Sequence, residues 1–255
     1  MLGGFLAADA AAGETKSMDE IEWWEFDTAR EMAEQAAGDI GFVIESAIEA
    51  HKGARIALPG GSTSDLIFAQ LARSKAIDWS KVTIMPTDDR LVPLGDPLSN
   101  YRKLEGYFAA RGAELVSLVD EAALGDRQEA GRLADARLSL VGWPLDLVCL
   151  GMGADGHTAS LFPGPDLERA VAGPRERRAV GVKPDPMPET APVERVTLTA
   201  PALTSARAIM VVIAGAQKRA MLEQAIKEGP LSSAPIGRLL AGIDSPIDIF
   251  WSAEG

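Results

Sequence analysis

The sequence predicts a single α/β domain in which a largely parallel sheet is covered by helices on both faces. Three observations point to it. Short, continuously apolar segments such as "ARIALP" (54–59) and "LDLVCLGM" (145–152) have the length and hydrophobicity of strands buried on both sides. They alternate with segments whose apolar residues recur at three- and four-residue steps, the order of strand–helix–strand units. The 255 residues, 47% hydrophobic and 24% charged, suit one core near the upper size limit for a domain of this class.

"IEWWEF" (21–26) reads as the first strand, with Asp27 as N-cap of a long helix. In that helix Ala29, Met32, Ala36, Ile40, Val43 and Ala47 share one face, and Gly53 is the expected stop. His51 then faces the negative end of the helix dipole, a capping position. The strand 54–59 leads through "GGSTSD" into a helix ending near Arg73. "KVTIMPTD" (81–88) is a further strand, followed by helices around 99–111 and 126–140. The most apolar strand is 145–152, and "ERVTLTA" (194–200), "ARAIMVVIAG" (206–215) and "SPIDIFW" (245–251) add three more, with a helix at 217–227. The proline-rich "VKPDPMPET" (182–190) reads as an extended surface loop near the site. No internal repeat or low-complexity block interrupts the pattern.

A net charge of −12 argues against a nucleic-acid surface or an anionic-membrane surface, both of which need clustered Lys and Arg. No apolar run approaches the ~20 residues of a membrane span. The single Cys149 excludes an intrachain disulfide and a multi-cysteine zinc site, and reads as a buried core thiol. "MLGGFLAADAAAGETKS" (1–17) lacks a basic n-region, and Asp9 interrupts its apolar stretch. It reads as a disordered extension rather than a signal peptide, leaving a catalytic domain over 18–255 and an expected cytoplasmic location. Oligomeric state leaves no mark in the sequence.

Ligands of open α/β sheets bind beyond the C-terminal ends of the strands, and three polar loops leave strands there. In "PGGSTS" (59–64), Gly60 and Gly61 allow close backbone approach to an anion. Ser62 and Thr63 add hydroxyls, and the following helix start offers unpaired N–H groups. The pattern is neither a Walker A nor a GxGxxG motif, so no nucleotide is implied; a plain capped turn is its bland alternative. In "TDDRLVPLGDPLSNYRKL" (87–104), Asp88 and Asp89 precede Arg90, whose guanidinium can grip a phosphate or carboxylate bidentately. Asn100 and Arg102 return toward the same edge; the bland alternative is a solvated charged loop. In "LGMGADGHTASLFPG" (150–164), Gly151, Gly153 and Gly156 surround Asp155 and His157, one of only two histidines. So many glycines weaken a packing explanation for an imidazole that can exchange a proton near neutrality, and Asp155 can orient it. "AGAQKRAML" (214–222) places Lys218 at a helix start, where a cation opposes the dipole and a ligand-facing role gains weight.

Together "LPGGSTSDLIFAQL", "TDDRLVPLGDPLSNYR", "DLVCLGMGADGHTASLFPG" and "ERVTLTAPAL" resemble, in order and rough spacing, the 6-phosphogluconolactonases. Glucosamine-6-phosphate deaminases, ribose-5-phosphate isomerases and CoA transferases share their superfamily. The resemblance spans about residues 20–252. It implies a Rossmann-like open sheet, a cytoplasmic enzyme of the pentose phosphate pathway, a small phosphorylated sugar lactone as substrate, and no required cofactor or metal. In the deaminases a glutamate follows the Asp-Gly-His segment, whereas "TASLFPG" contains no acid. Their second loop reads Asp-Glu-Tyr, and the lactonases' reads Asp-Glu-Arg; Asp89 here is one methylene shorter. The expected chemistry is hydrolysis of 6-phospho-D-glucono-1,5-lactone. His157 would activate water, and Arg90, the Gly60–Thr63 turn and Lys218 would hold the phosphate. Sugar-phosphate isomerisation or deamination on the same fold, and a non-catalytic sugar-phosphate sensor, are the alternatives.

Overall fold

The computed structural model describes residues 21–254, so the extension expected at 1–17 lies outside the described residues. β1 (Ile21–Phe26) leads into α1 (Ala29–His51), β2 (Ala54–Leu58) into α2 (Ser62–Leu71), and β3 (Val82–Pro86) into β4 (Asp88–Arg90) and α3 (Asn100–Phe108). Then come β5 (Glu114–Leu115), α4 (Arg127–Leu138), β6 (Leu147–Gly151), α5 (Leu167–Val171), β7 (Ala179–Val182), β8 (Arg195–Leu198) and α6 (Ala200–Thr204). β9 (Ala208–Ala214), α7 (Ala216–Glu228), α8 (Pro235–Leu240) and β10 (Ile247–Ser252) complete the order.

Seven strands form one sheet in the order β1-β10-β9-β6-β2-β3-β5, with every neighbouring pair parallel. Successive side chains of a strand point to opposite faces, and the cores follow that alternation. Ile56, Leu58, Leu147, Cys149, Met210 and Val212 pack with α1, α2 and α3 on one face. Ala57, Val148, Leu150, Ile209, Val211 and Ile249 pack with α4, α7 and α8 on the other. From the centre the chain winds outward through β2, β3 and β5 on one side, and through β6, β9 and β10 on the other. The switch point between β2 and β6 therefore sets their two C-terminal loops side by side, where such folds bind ligands.

Several local expectations are corrected. The N-cap of α1 is Thr28, not Asp27: its hydroxyl accepts from the Glu31 N–H while Glu31 reaches back, a reciprocal capping box. The left-handed residue ending α1 is Lys52, at φ 69°, one position before Gly53. His51 does not cap backbone carbonyls; its Nε2 lies 2.9 Å from Oδ1 of the buried Asp146. The strand expected over 81–88 is two. Proline has no N–H to continue a ladder, and β3 ends at Pro86. Thr87 donates its N–H to Leu58 and accepts from Leu198, carrying the chain into a second, antiparallel sheet, β4-β8-β7. Val182 of the proline-rich stretch belongs to β7. Among the described residues no helix is long and apolar enough to cross a membrane.

Candidate active site

The loop after β6 is shaped by its glycines. A Cβ on Gly153 would lie 2.2 Å from both Cε1 and Nδ1 of His157 and 2.7 Å from Oδ1 of Asp155, so the absent side chain is the space that the pair occupies. Gly156 adopts φ +79°, and a Cβ there would meet Ala234 at 2.5 Å. In the turn so formed, Asp155 Oδ1 lies 2.5 Å from His157 Nδ1 and also accepts the His157 N–H. Partial burial pushes the Asp155 carboxyl up, but the imidazole's charge and hydrogen bonds together outweigh it and hold the group below its ordinary value. The imidazole stacks on Phe162, centroids 4.1 Å apart, and stays about one-third exposed.

Strand alternation sorts the second loop. Asp88 and Arg90 project to one face of β4 and line the pocket. Asp89, between them, projects to the other and is fully buried. Its carboxylate accepts the N–H groups of Arg90, Asn100 and Tyr101 and the Ser99 hydroxyl, fixing the start of α3. Burial raises this carboxyl to about 6 against the lowering effect of those N–H groups. Arg90 Nη1 donates to Leu98 O and Asn100 Oδ1, and Asn100 Nδ2 donates to Asp88 O. Asn100 packs so tightly on Gly60 that a Cβ there would fall 2.2 Å from its Oδ1. The two loops are thereby keyed together.

Gly61, at φ 98°, begins α2 without a side-chain cap, leaving the first-turn N–H groups facing the pocket as an anion seat. Ser64 Oγ donates to Gly60 O, and Lys103 Nζ donates to Gly61 O while pairing with Asp65. The β6 loop is pinned to the small sheet by Ser160, whose hydroxyl donates to Asp88 at 2.5 Å and whose N–H donates to Thr197.

One cavity of about 210 Å³ collects these groups: Gly60, Gly61, Ser62, Thr63, Asp88, Arg90, Asn100, His157 and Lys218 all line it. Imidazole and arginine, far apart along the chain, thus line one pocket. Asp155 stands behind His157, and Cys149 contributes to the floor; it is the buried core thiol expected, and burial raises it to about 12. Arg102 does not line the cavity: it is exposed on α3, and its N–H is taken by Ser99. None of the proline-rich residues 182–190 lines it either. Neighbouring Arg219 is committed elsewhere, between Trp23 and Trp251 and paired with Glu25 and Glu223.

Arg195 was not singled out from the sequence, yet it lines the pocket and is 4% exposed. Burial depresses its pKa, and the Asp88 charge opposes that shift. The signal was present in "ERVTLTA": in a strand, Arg195 and Thr197 share a face that apolar neighbours do not. Among the described residues no group of three or more His, Cys, Asp or Glu side chains is placed to hold a metal ion.

Comparison with known proteins agrees with this architecture. The chain is 35% identical over 229 residues to a 6-phosphogluconolactonase of Rhizobium meliloti, covering 89% of this chain and 97% of the relative. It is 33% identical to that of Mesorhizobium japonicum, covering 90% and 94%. The crystal structure of a 6-phosphogluconolactonase from Shewanella baltica superposes with a TM-score of 0.83 at 32% identity, over 91% of this chain and 98% of that one. Residues 27–246 match the model of the family described as glucosamine-6-phosphate isomerases/6-phosphogluconolactonase, and the chain belongs to that family.

Proposed function

We infer that the protein is a 6-phosphogluconolactonase that hydrolyses 6-phospho-D-glucono-1,5-lactone to 6-phospho-D-gluconate, with His157 as general base. The observation that carries this reading is the shared cavity, which an Asp155-oriented imidazole and the Arg90 guanidinium both line. Asp155 on Nδ1 keeps a proton there and leaves Nε2 as the acceptor. Nε2 takes a proton from water as it adds to the ring carbonyl, then returns it to the departing ring oxygen. A lactone is an activated ester, so no nucleophilic serine is required; "GGSTS" (60–64) has no G-x-S-x-G elbow. The phosphate sits on the α2 N–H groups, Arg90 and Lys218, and its binding energy fixes the carbonyl against the base.

Among the described residues, Asp88 is the one carboxylate lining the cavity, and its Oδ2 accepts from Ser160. The acid pair that proton transfer at a sugar C2 needs is not assembled there, which favours hydrolysis over isomerisation or deamination. The cytoplasmic placement expected from the sequence fits an enzyme acting on a phosphorylated metabolite. The test is lactone disappearance coupled to phosphogluconate oxidation, corrected for spontaneous hydrolysis. His157→Ala should lose about 10²–10⁴ in turnover while still binding the product. Near-normal hydrolysis by that variant removes His157 from the mechanism.

A further inference from the structure

We propose that Arg195 is a catalytic residue, the cation that stabilises the negative charge developing on the carbonyl oxygen. The proposal rests on the hydrolase reading above.

Arg195 and Arg90 are direct cross-strand partners in the antiparallel β8–β4 pair, and both line the cavity. Like charges placed opposite each other in a sheet are unfavourable, and the charges of Asp88 and Asp89 offset the burial of Arg195 only in part. Arg195 is 4% exposed, and its Nη2 donates to Ala191 O. Its buried Nε has no hydrogen-bond partner among the described residues, and the same holds for Arg90. Two guanidiniums lining one small cavity are an arrangement that anionic groups complete.

Their neighbours differ. Arg90 is joined through Asn100 to the Gly60 turn, the phosphate seat. Arg195 packs over Phe162, its Cζ 5.3 Å from the ring centroid, and this is the ring on which His157 stacks. The second cation therefore belongs to the reacting end. When water oxygen bonds to the carbonyl carbon, its proton passes to His157 Nε2 and the π pair moves onto the carbonyl oxygen, beside Arg195. Collapse re-forms the carbonyl and breaks the ring C–O bond, and His157 returns the proton to the ring oxygen.

The experiment compares Arg195→Met, which keeps the apolar stem, and Arg195→Lys, which keeps the charge, with the unaltered protein. Both are assayed on phosphorylated lactone and on glucono-1,5-lactone, with folding followed by thermal denaturation and inorganic phosphate tested as an inhibitor. The expected result is a fall of about 10²–10³ in kcat for Arg195→Met, partial recovery in Arg195→Lys, similar relative losses on both lactones, and phosphate inhibition unchanged within about twofold. If Arg195→Met does not fold, Arg195→Lys carries the comparison, with a kcat loss and unaltered phosphate inhibition expected. Weakened phosphate inhibition, or a loss confined to KM for the phosphorylated lactone, would reassign Arg195 to the phosphate and overturn the proposal. Unchanged kcat in folded variants overturns it as well. Failure of the unaltered protein to turn over phosphorylated lactone would instead overturn the hydrolase reading.

Discussion

Replacing Gly153 by alanine separates the imidazole–carboxylate pair from the rest of the fold. The new Cβ would stand 2.2 Å from Cε1 and Nδ1 of His157 and 2.7 Å from Oδ1 of Asp155, where carbon contacts normally settle at about 3.5–4.0 Å. All three are side-chain atoms of groups that are 30% and 53% exposed, so the side chains yield and the backbone stays. The imidazole must retreat by about 1 Å or more, and the 2.5 Å hydrogen bond to Asp155 cannot survive that displacement. Gly153 is not among the glycines held at positive φ. Alanine therefore fits its backbone and restricts the unfolded chain, a gain of about 0.4–1 kcal/mol that offsets the local crowding.

The outcome worked from these distances is a dissociation of stability from activity. Denaturation by urea should shift by less than about 1 kcal/mol, while kcat falls about 10²-fold from misplacement alone and toward the 10²–10⁴ of a lost base. The coupled lactone assay and a urea titration on the same preparation measure both. Wild-type kcat in a folded Gly153→Ala protein would refute the assignment of His157, and so would a loss that appears only in KM.

Three further substitutions probe other parts of the site. Gly60→Ala should drive Asn100 away from Arg90; losing one charge-assisted hydrogen bond, about 1.5–3 kcal/mol, should raise KM by roughly 10- to 100-fold with a smaller effect on kcat in steady-state assays. His51→Ala should cost about 1–2 kcal/mol in urea unfolding, because Asp146 is 3% exposed and loses a partner, while kcat stays unchanged. Asp89→Asn tests a titration. The carboxyl rises from 3.8 to about 6 on folding, so its stabilising contribution is full below pH 3.8 and is lost as pH climbs through about 6. The stability of the wild type minus that of the variant should fall by about 3 kcal/mol across this window. A flat difference between pH 4 and 7 would place the Asp89 titration elsewhere.

The sheet was legible because β2, β6 and β9 are continuous apolar runs, and burial on both faces leaves a mark that composition alone exposes. The small sheet was not. β4 spans only Asp88–Arg90 and carries charged residues, so nothing in its periodicity distinguishes it from a loop; the partners that make it a strand lie about a hundred residues away in β8. The loop glycines were readable as room for a substrate, yet Gly60 and Gly153 leave room for the protein's own Asn100 and His157, a contact no local pattern announces. Arg102 illustrates the opposite error. It lies two residues after Asn100, and on a helix that spacing turns it about 200° away from the face Asn100 presents. Lys218, on the first turn of α7, reaches the cavity, while the adjacent Arg219 is drawn to the tryptophans.

The same alternation accounts for Asp89, at the position where the lactonase pattern that the sequence resembles has glutamate. In a strand, odd and even positions serve opposite faces, so "DDR" (88–90) delivers its first and third side chains to the cavity and its second to α3. Asp89 therefore touches the cavity only through the position of α3, and that helix holds Asn100, which keys Arg90 to the Gly60 turn. Asp89 itself is not among the residues that line the pocket. Lengthening it, Asp89→Glu, would force an extra methylene into a site that is fully buried, where overpacking costs about 1–3 kcal/mol. Asp89, which the sequence shows only as one of a carboxylate pair beside Arg90, is in the fold a buried group that holds the start of α3.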